Sequence, residues 1–376
     1  MRDLAHRPFN LRDIMFRKKH KTKQAEVFPK TLAEFGYYIK PEGSIRSLQS
    51  DSAYEYKVRE RDQPYNEARY EAFIALINDM VIQRIQQPPL NLVKASVPSN
   101  VELDSTTPHA CIFMTKDALT TTDKLLVLVP GSQVNAGIWS RRIMCDENIN
   151  EGSMLTTCYK AVKAGFEIII TNPNANYWSN DKAYIKRTGA NCITIPGTET
   201  PEEHVEHVFS HYLKAAPASR VAIMGQGWAG HLIGEQLNNN FDLFKDKVKA
   251  IALADSVHSR DLIEGDEKRV YLFEKVANWM TSAEDKKGEI IRDPRFGCTC
   301  ISAGVEISDF ALPTSLDDMF QFYRRQFGEE TASDDEGSVE EELITDAARQ
   351  AMDQEKLEEL QEFVTVVDKD NTVAFD

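Results

Sequence analysis

Two kinds of apolar pattern alternate through the middle of this chain. Short, nearly continuous apolar runs occur at residues 124–129, 166–171, 221–226 and 249–254, with weaker ones at 109–115 and 298–302. Each is closed by turn chemistry, as in Pro130-Gly131-Ser132 and Asn172-Pro173-Asn174. Runs of this kind suit strands covered on both faces. Between them lie stretches with helical spacing, at residues 152–164, 201–215, 231–237 and 266–281. A longer helix is predicted over residues 66–86. There Tyr70, Phe73, Ile74, Ile77, Val81 and Ile85 recur at three- and four-residue steps before Pro88-Pro89 ends the pattern. Residues 28–58 alternate aromatic and polar positions around Pro41-Glu42-Gly43-Ser44 and read as a β-meander ahead of the main sheet. Strands alternating with helices imply an α/β fold, a mostly parallel sheet with helices on both faces. Ligand sites in such sheets lie at the carboxyl ends of the strands. Four segments should therefore converge: residues 130–132, 172–174, 225–230 and 255–258.

The third of these segments is the most informative. Val221 to Met224 is a buried-strand pattern, Gly225, Gly227 and Gly230 break it, and His231 to Leu237 resumes as a helix. Strand, sharp turn and helix form the elbow on which α/β-hydrolases mount a nucleophile within G-x-S-x-G. Here Gly227 occupies the serine position and Ala229 the last glycine. The geometry reads as kept and the nucleophile as absent, the alternative being an ordinary sheet-to-helix turn of another α/β fold. A triad also needs an imidazole and an acid that orients it. Asp255 ends the next strand and His258 follows three residues on, although both residue types are also common in structural turns. Ser132 and Ser256 lie outside any G-x-S-x-G, and a non-standard nucleophile would have to be Ser256 or a water activated by His258. His204, His207 and His211 share one helical face, which reads as a solvated face because no carboxylate has matching spacing. Neither a metal nor a cofactor is expected.

Composition narrows the picture. The chain has 376 residues, 42% of them hydrophobic, and no run approaches the roughly 20 apolar residues of a membrane span, so no membrane partner is expected. The first residues are charged and lack the apolar core of a signal peptide. Six scattered cysteines without C-x-x-C spacing point to free, mostly buried thiols in a reducing compartment. The net charge of −15 is concentrated: residues 329–362 hold 14 acids and two bases, or −12. The remainder is close to balanced, which argues against tight binding of a phosphate backbone. Residues 1–25 read as a basic tail, in which Arg17, Lys18, Lys19, Lys21 and Lys23 form a nuclear-import type cluster. Residues 26–328 should form the α/β domain and 329–376 an acidic tail. In that tail 329–338 is expected to be disordered, and 339–364 has the spacing of an amphipathic helix.

A set of longer segments carries a resemblance. They include Phe28-Pro29-Lys30-Thr31-Leu32 with Phe35-Gly36-Tyr37, Phe113-Met114-Thr115-Lys116-Asp117-Ala118-Leu119-Thr120, residues 124–139 followed by Arg141-Arg142, and Thr171-Asn172-Pro173-Asn174 with Asn176-Tyr177. Pro201-Glu202-Glu203-His204, Ala254-Asp255-Ser256-Val257-His258 and Ile301-Ser302-Ala303-Gly304 complete it. From about Phe28 to about Tyr323 the chain resembles the Argonaute-binding-protein-two (Arb-two) domain family, nearest to the animal branch called "family with sequence similarity 172". The resemblance implies an α/β-hydrolase-like fold, a nuclear protein with the cytoplasm as a second location, and Argonaute, chromatin or splicing proteins as partners in small-RNA-directed heterochromatin silencing or alternative splicing. Contact with small RNA would be weak or indirect. A hydrolase activity is implied for the animal branch by its motif. This chain departs from that motif at Gly227 for the elbow serine, Pro130 for a histidine before the Gly-Ser turn, and Ser308 for a histidine after the last strand, while Asp255 and His258 match. The expectation is a catalytically silent scaffold. Its vestigial pocket holds Gly227, Asp255, His258 and Ser308, lined by Pro130, Gly131, Ser132, Asn172, Asn174, Gln226 and Trp228. The alternatives are an active hydrolase-like enzyme with another nucleophile, or direct binding of small interfering RNA.

Overall fold

The structure is a computed structural model that describes residues 26–186 and 191–329. The basic cluster at 17–23 and the predicted acidic helix at 339–364 lie outside the described residues. Numbering only the strands of the main sheet, they are β1 (Val93–Val97), β2 (Ala110–Met114), β3 (Lys124–Val129), β4 (Glu167–Ile170), β5 (Arg220–Gln226), β6 (Val248–Ala254), β7 (Val276–Met280), β8 (Ile290–Ile291) and β9 (Thr299–Ser302). They form one nine-stranded sheet in the order β8-β9-β7-β6-β5-β3-β4-β2-β1. Pairing is parallel from β9 through β7, β6, β5 and β3 to β4, and antiparallel at β8/β9, β4/β2 and β2/β1. This is an α/β-hydrolase-like sheet.

The apolar runs explain why these segments sit at the centre. Alternate residues of a strand face opposite ways, so β3 sends Leu126 and Leu128 into one core and Leu125, Val127 and Val129 into the other. β5 does the same with Ala222 and Met224 against Val221 and Ile223. The first core is covered by α1 (Gln63–Ile85), α2 (Leu155–Lys163) and α6 (Ser308–Gln326). The second is covered by α3 (Pro201–His207, continued by a π-helical turn Val208–Leu213), α4 (Ala229–Asn239) and α5 (Asp266–Lys275). Pro at the first position and a Thr200–Glu203 capping box start α3. Arg59 lies 3.2 Å over the Tyr65 ring, while Phe35, Tyr37, Tyr54 and Phe73 stack in one aromatic cluster that seats the N-terminal segment on α1.

Two expectations are corrected. Residues 28–58 are not a β-meander: they form a four-residue helix, Leu32–Phe35, and one two-stranded hairpin, Tyr37–Ile39 with Ile45–Ser47. Tyr54 to Val58 is irregular because Tyr54 and Tyr56 pack their rings on Phe73 and Tyr70 instead of pairing their backbone. The stretch 266–281 is not one helix, since α5 ends at Lys275 and Val276–Met280 enters the sheet as β7. A helical face and a five-residue strand abut there without a glycine or proline between them. Strand β1, a small three-stranded sheet (Tyr177–Ser179, Lys182–Tyr184, Ile193–Thr194) and helix α6 were not foreseen. Among the described residues no helix is long and apolar enough to cross a membrane. All six cysteines are unpaired, five of them buried.

Candidate functional site

Strand order reverses at β3, which pairs with β4 on one side and β5 on the other. Crossovers leave such a point in opposite directions and open a crevice at the carboxyl ends of the strands. The turns after β3 and β5 therefore meet there. Gly131 packs against the Gln226 carbonyl, 3.2 Å from where a side-chain carbon would stand. The turns after β4 and β6 join them. Asn174 Nδ2 donates to the Gly131 and Val134 carbonyls at 2.8 and 2.9 Å, and the N–H of Gly227 donates to the Ala254 carbonyl at 2.9 Å. The N–H of Val257 donates back to the Gly227 carbonyl at 3.2 Å, and Gln226 Nε2 reaches the Ser308 carbonyl at 3.4 Å. All four foreseen segments and the start of α6 thus converge.

At the centre Gly227 has φ +55°, in the left-handed region that disfavours other residues, and nothing lies within 4 Å of where its Cβ would stand. This is the backbone geometry of a nucleophile-elbow apex, open above and without a reacting side chain. Trp228, the next residue, is 41% exposed and leans its indole on the His231 ring, centroids 4.4 Å apart. Gln226 is buried, and its Oε1 has no hydrogen-bond partner.

The candidate acid and base do not face each other. The Asp255 carboxylate accepts from the Thr281 N–H and hydroxyl at 3.3 and 3.0 Å. His258 turns into the protein. Its Nε2 lies 3.0 Å from the Phe296 carbonyl, which can only accept, so Nε2 carries the proton. Nδ1 then accepts the Ser256 hydroxyl at 2.7 Å, and Ser256 Oγ in turn accepts the His258 N–H at 3.2 Å. Burial pushes the His258 pKa down to about 4, against a smaller opposing effect of the Phe296 carbonyl. Ser256 is itself buried under α4. A side-chain carbon at Gly230 would stand 1.8 Å from its Oγ. The His258 ring lines a cavity of about 340 Å³ beside α4, shared with Glu235, Asn238, Ser259 and Leu262.

Several foreseen lining residues hold the crevice together. Asn172 Oδ1 accepts the Ala136 N–H at 3.3 Å, and its Nδ2 donates to the Cys111 carbonyl at 3.2 Å. The Asn172 N–H donates to His204 Nε2 at 3.1 Å. His204 is fully buried, with its pKa pushed down to about 3 by that burial first and by the charge of His207 second. The reading of His204 as part of a solvated face is thereby corrected: its ring is a buried acceptor at the base of the crevice. Of these three, His207 and His211 reach the surface, their rings stacked 3.9 Å apart. Among the described residues no group of three or more histidines, cysteines, aspartates or glutamates could hold a metal ion. Sequence reasoning missed Thr281 and Phe296, which fix Asp255 and His258. Both lie in irregular segments around β7 and β9, where no periodicity marks them.

The sequence profile of the Arb2 domain matches residues 28–286, which span the elbow, the acid and the buried histidine. The chain belongs to the Arb2 domain family. It is 28% identical over 348 residues to human "Cotranscriptional regulator ARB2A", covering 81% of this chain and 83% of that protein. It is 27% identical over 339 residues to the Xenopus tropicalis homolog of the same name, at 79% of each chain. A solved histone deacetylase from Saccharomyces cerevisiae aligns with 67% of this chain and 97% of that one at 12% identity and a TM-score of 0.45, too distant a likeness to carry any inference.

Proposed function

We propose that this Arb2 domain protein is a catalytically silent, hydrolase-like scaffold that acts in the nucleus as a cotranscriptional regulator by binding protein partners. The observation that carries the reading is the elbow itself. Gly227 offers no nucleophile, and His258 has both ring nitrogens committed to Ser256 and the Phe296 carbonyl. A triad enzyme without its nucleophile and base keeps only what binding and the oxyanion hole supply. The names of the human and Xenopus relatives support the regulatory half. The partners proposed are Argonaute-linked, chromatin or splicing proteins, acting in small-RNA-directed heterochromatin silencing or alternative splicing. The crevice around Gly131, Ser132, Gln226, Gly227 and Trp228 is the proposed binding surface, and the acidic tail would tune partner choice through long-range charge. Affinity capture from nuclear extract, with Argonaute and splicing factors read by mass spectrometry, tests this. Capture that is lost on Trp228→Asp supports it, and recovery of no such factor removes its main support.

The Ser256–His258 contact at 2.7 Å favours a second reading, an enzyme whose nucleophile is Ser256. Against it stand the burial of Ser256 and its position under Gly230. Labelling of the unaltered protein by a fluorophosphonate probe, abolished by Ser256→Ala, would replace the first reading with this one.

A further inference from the structure

A separate cavity, sharing no residue with the crevice, opens between the N-terminal hairpin and helices α1 and α2. Its volume is about 430 Å³, within the range of small-molecule sites. Four segments distant in sequence build it: the hairpin turn at 39–43, the end of α1 at 84–88, Asn150, and the first turns of α2 at 155–159. The hairpin turn is clamped in place. Asn148 and Asn150 donate through Nδ2 to the Glu42 carbonyl at 2.7 and 3.1 Å, and the Ile149 N–H donates to the Gly43 carbonyl at 2.9 Å. That wall of the cavity is therefore preformed.

The lining carries two cations and no carboxylate. Lys40 is held by Asp51 at 2.8 Å, which leaves two of its three donors free. Asp51 also accepts the Tyr38 hydroxyl at 2.8 Å, and Glu42 accepts the Ser44 hydroxyl at 2.7 Å; neither acid is part of the lining. Arg84 is half-buried, and among the described residues it has no ion pair and no hydrogen bond. Its own helix offers no carboxylate, since the residues three and four away are Met80, Val81, Gln87 and Pro88. Helix α2 starts at the same wall, and Met154 at its N-cap supplies no side-chain acceptor, so the positive end of the helix dipole adds to the field of the two cations. Beside these donors, Ile39, Leu155 and the Tyr159 ring supply apolar surface.

We propose that this cavity is a phosphomonoester site, in which Arg84 and Lys40 hold the phosphate dianion and Ile39, Leu155 and Tyr159 receive its organic body. A guanidinium meets phosphate through parallel N–H donors, and the second cation matches the second charge. A carboxylate, with a single charge, would leave one of the two unmatched. The same group has two sources, a phosphorylated side chain of a partner protein and a small phosphorylated metabolite. The site does not depend on the crevice being a binding surface.

Ligand-observed NMR titration of the full-length protein at low salt tests this, with phenyl phosphate, benzoate and a short phosphotyrosine peptide as probes. Phenyl phosphate should bind with a Kd on the order of 1 mM or tighter. Benzoate should bind several-fold more weakly, and added salt should weaken both. Arg84→Gln should weaken phenyl phosphate about tenfold or more, because hydrogen bonds to a charged group are lost. Gln87→Glu alters an exposed residue of the lining three positions from Arg84, and should weaken binding several-fold with the melting temperature unchanged. Lys18→Glu/Lys19→Glu should leave binding unchanged, which separates the cavity from the basic cluster at 17–23. A phosphopeptide that binds at least tenfold tighter than phenyl phosphate assigns the site to a protein source, and equal affinity assigns it to a small molecule. Three results would each overturn the proposal: no binding of phenyl phosphate at tenfold the expected Kd, binding unchanged in Arg84→Gln or Gln87→Glu, and benzoate binding as tightly as phenyl phosphate.

Discussion

Replacing Gly227 by serine is the sharpest probe of the elbow. The backbone there sits at φ +55°, where a residue with a Cβ pays on the order of 1–2 kcal/mol. No atom lies within 4 Å of the new Cβ, so no clash adds to that strain. Gly227→Ser should therefore fold, with its melting temperature lowered by roughly 2–4 °C for a domain of this size. Its hydroxyl would stand at the nucleophile position, but the histidine that matches the family pattern is held elsewhere. His258 is committed to Ser256 and the Phe296 carbonyl, and Ser308 is where the family resemblance would put the other histidine. The single variant should react only slowly with a fluorophosphonate probe. Adding Ser308→His places an imidazole on the residue whose carbonyl meets Gln226. A general base typically contributes about 10²–10⁴-fold, so even a poorly aligned one should raise labelling of the double variant at least tenfold above the single. Gel fluorescence over a time course reads all three proteins. Labelling of the unaltered chain would refute the silent reading. A double variant that folds and labels no faster than the single would refute the hydrolase geometry assigned to this crevice.

Gly230→Ala should be far more damaging than Gly227→Ala despite its ordinary backbone, because the added carbon would stand 1.8 Å from Ser256 Oγ. A loss of about 3 kcal/mol or more in urea unfolding is expected. Ser256→Ala removes the donor to His258 Nδ1 and the acceptor of its N–H, and should cost about 1–3 kcal/mol in the same assay while leaving probe labelling unchanged. His258 gives the fold an acid weakness. Its pKa is about 4 in the fold and about 6.5 in the unfolded chain, so between those values the unfolded state holds the extra proton. The stability present above pH 6.5 is lost as pH falls toward 4, by roughly 3 kcal/mol, and His204 acts in the same direction. Unfolding midpoints at pH 7.5 and 4.5 should differ less in His258→Gln. An equal difference would mean that the imidazole is protonated in the fold.

Much of the fold was legible because buried parallel strands leave long apolar runs. Residues 124–129, 221–226 and 249–254 each became a strand with both faces covered. The short strands were not legible. Val276–Met280 carries Asn278 and follows a helix without punctuation, and Ile290–Ile291 is two residues long. The convergence of four loops at the crevice followed from topology alone. What the sequence could not show was direction. Asp255 and His258 are three residues apart and matched the family pattern, yet their side chains part company, one to Thr281 and the other to Ser256 and Phe296. Side-chain direction at a turn depends on backbone dihedrals, here φ +43° at Asp255, that residue spacing does not encode.

The glycine at the elbow and the inward histidine belong to one arrangement. Gly230 lets α4 approach closely enough to lie on Ser256, and Ser256 holds the His258 ring toward the Phe296 carbonyl. A histidine swung out toward Gly227 would leave the Ser256 hydroxyl and the Phe296 carbonyl without their partner, at a cost of about 1–3 kcal/mol for each buried group. Restoring serine at 227 therefore would not by itself recruit His258 as a base. The same economy applies across the crevice, where Asn172 and Asn174 spend their side chains on the Ala136, Cys111, Gly131 and Val134 backbone. With its polar side chains turned inward, the crevice offers partners its Gly227 apex, its backbone and its apolar lip. That surface suits docking of an apolar side chain better than turnover of a substrate.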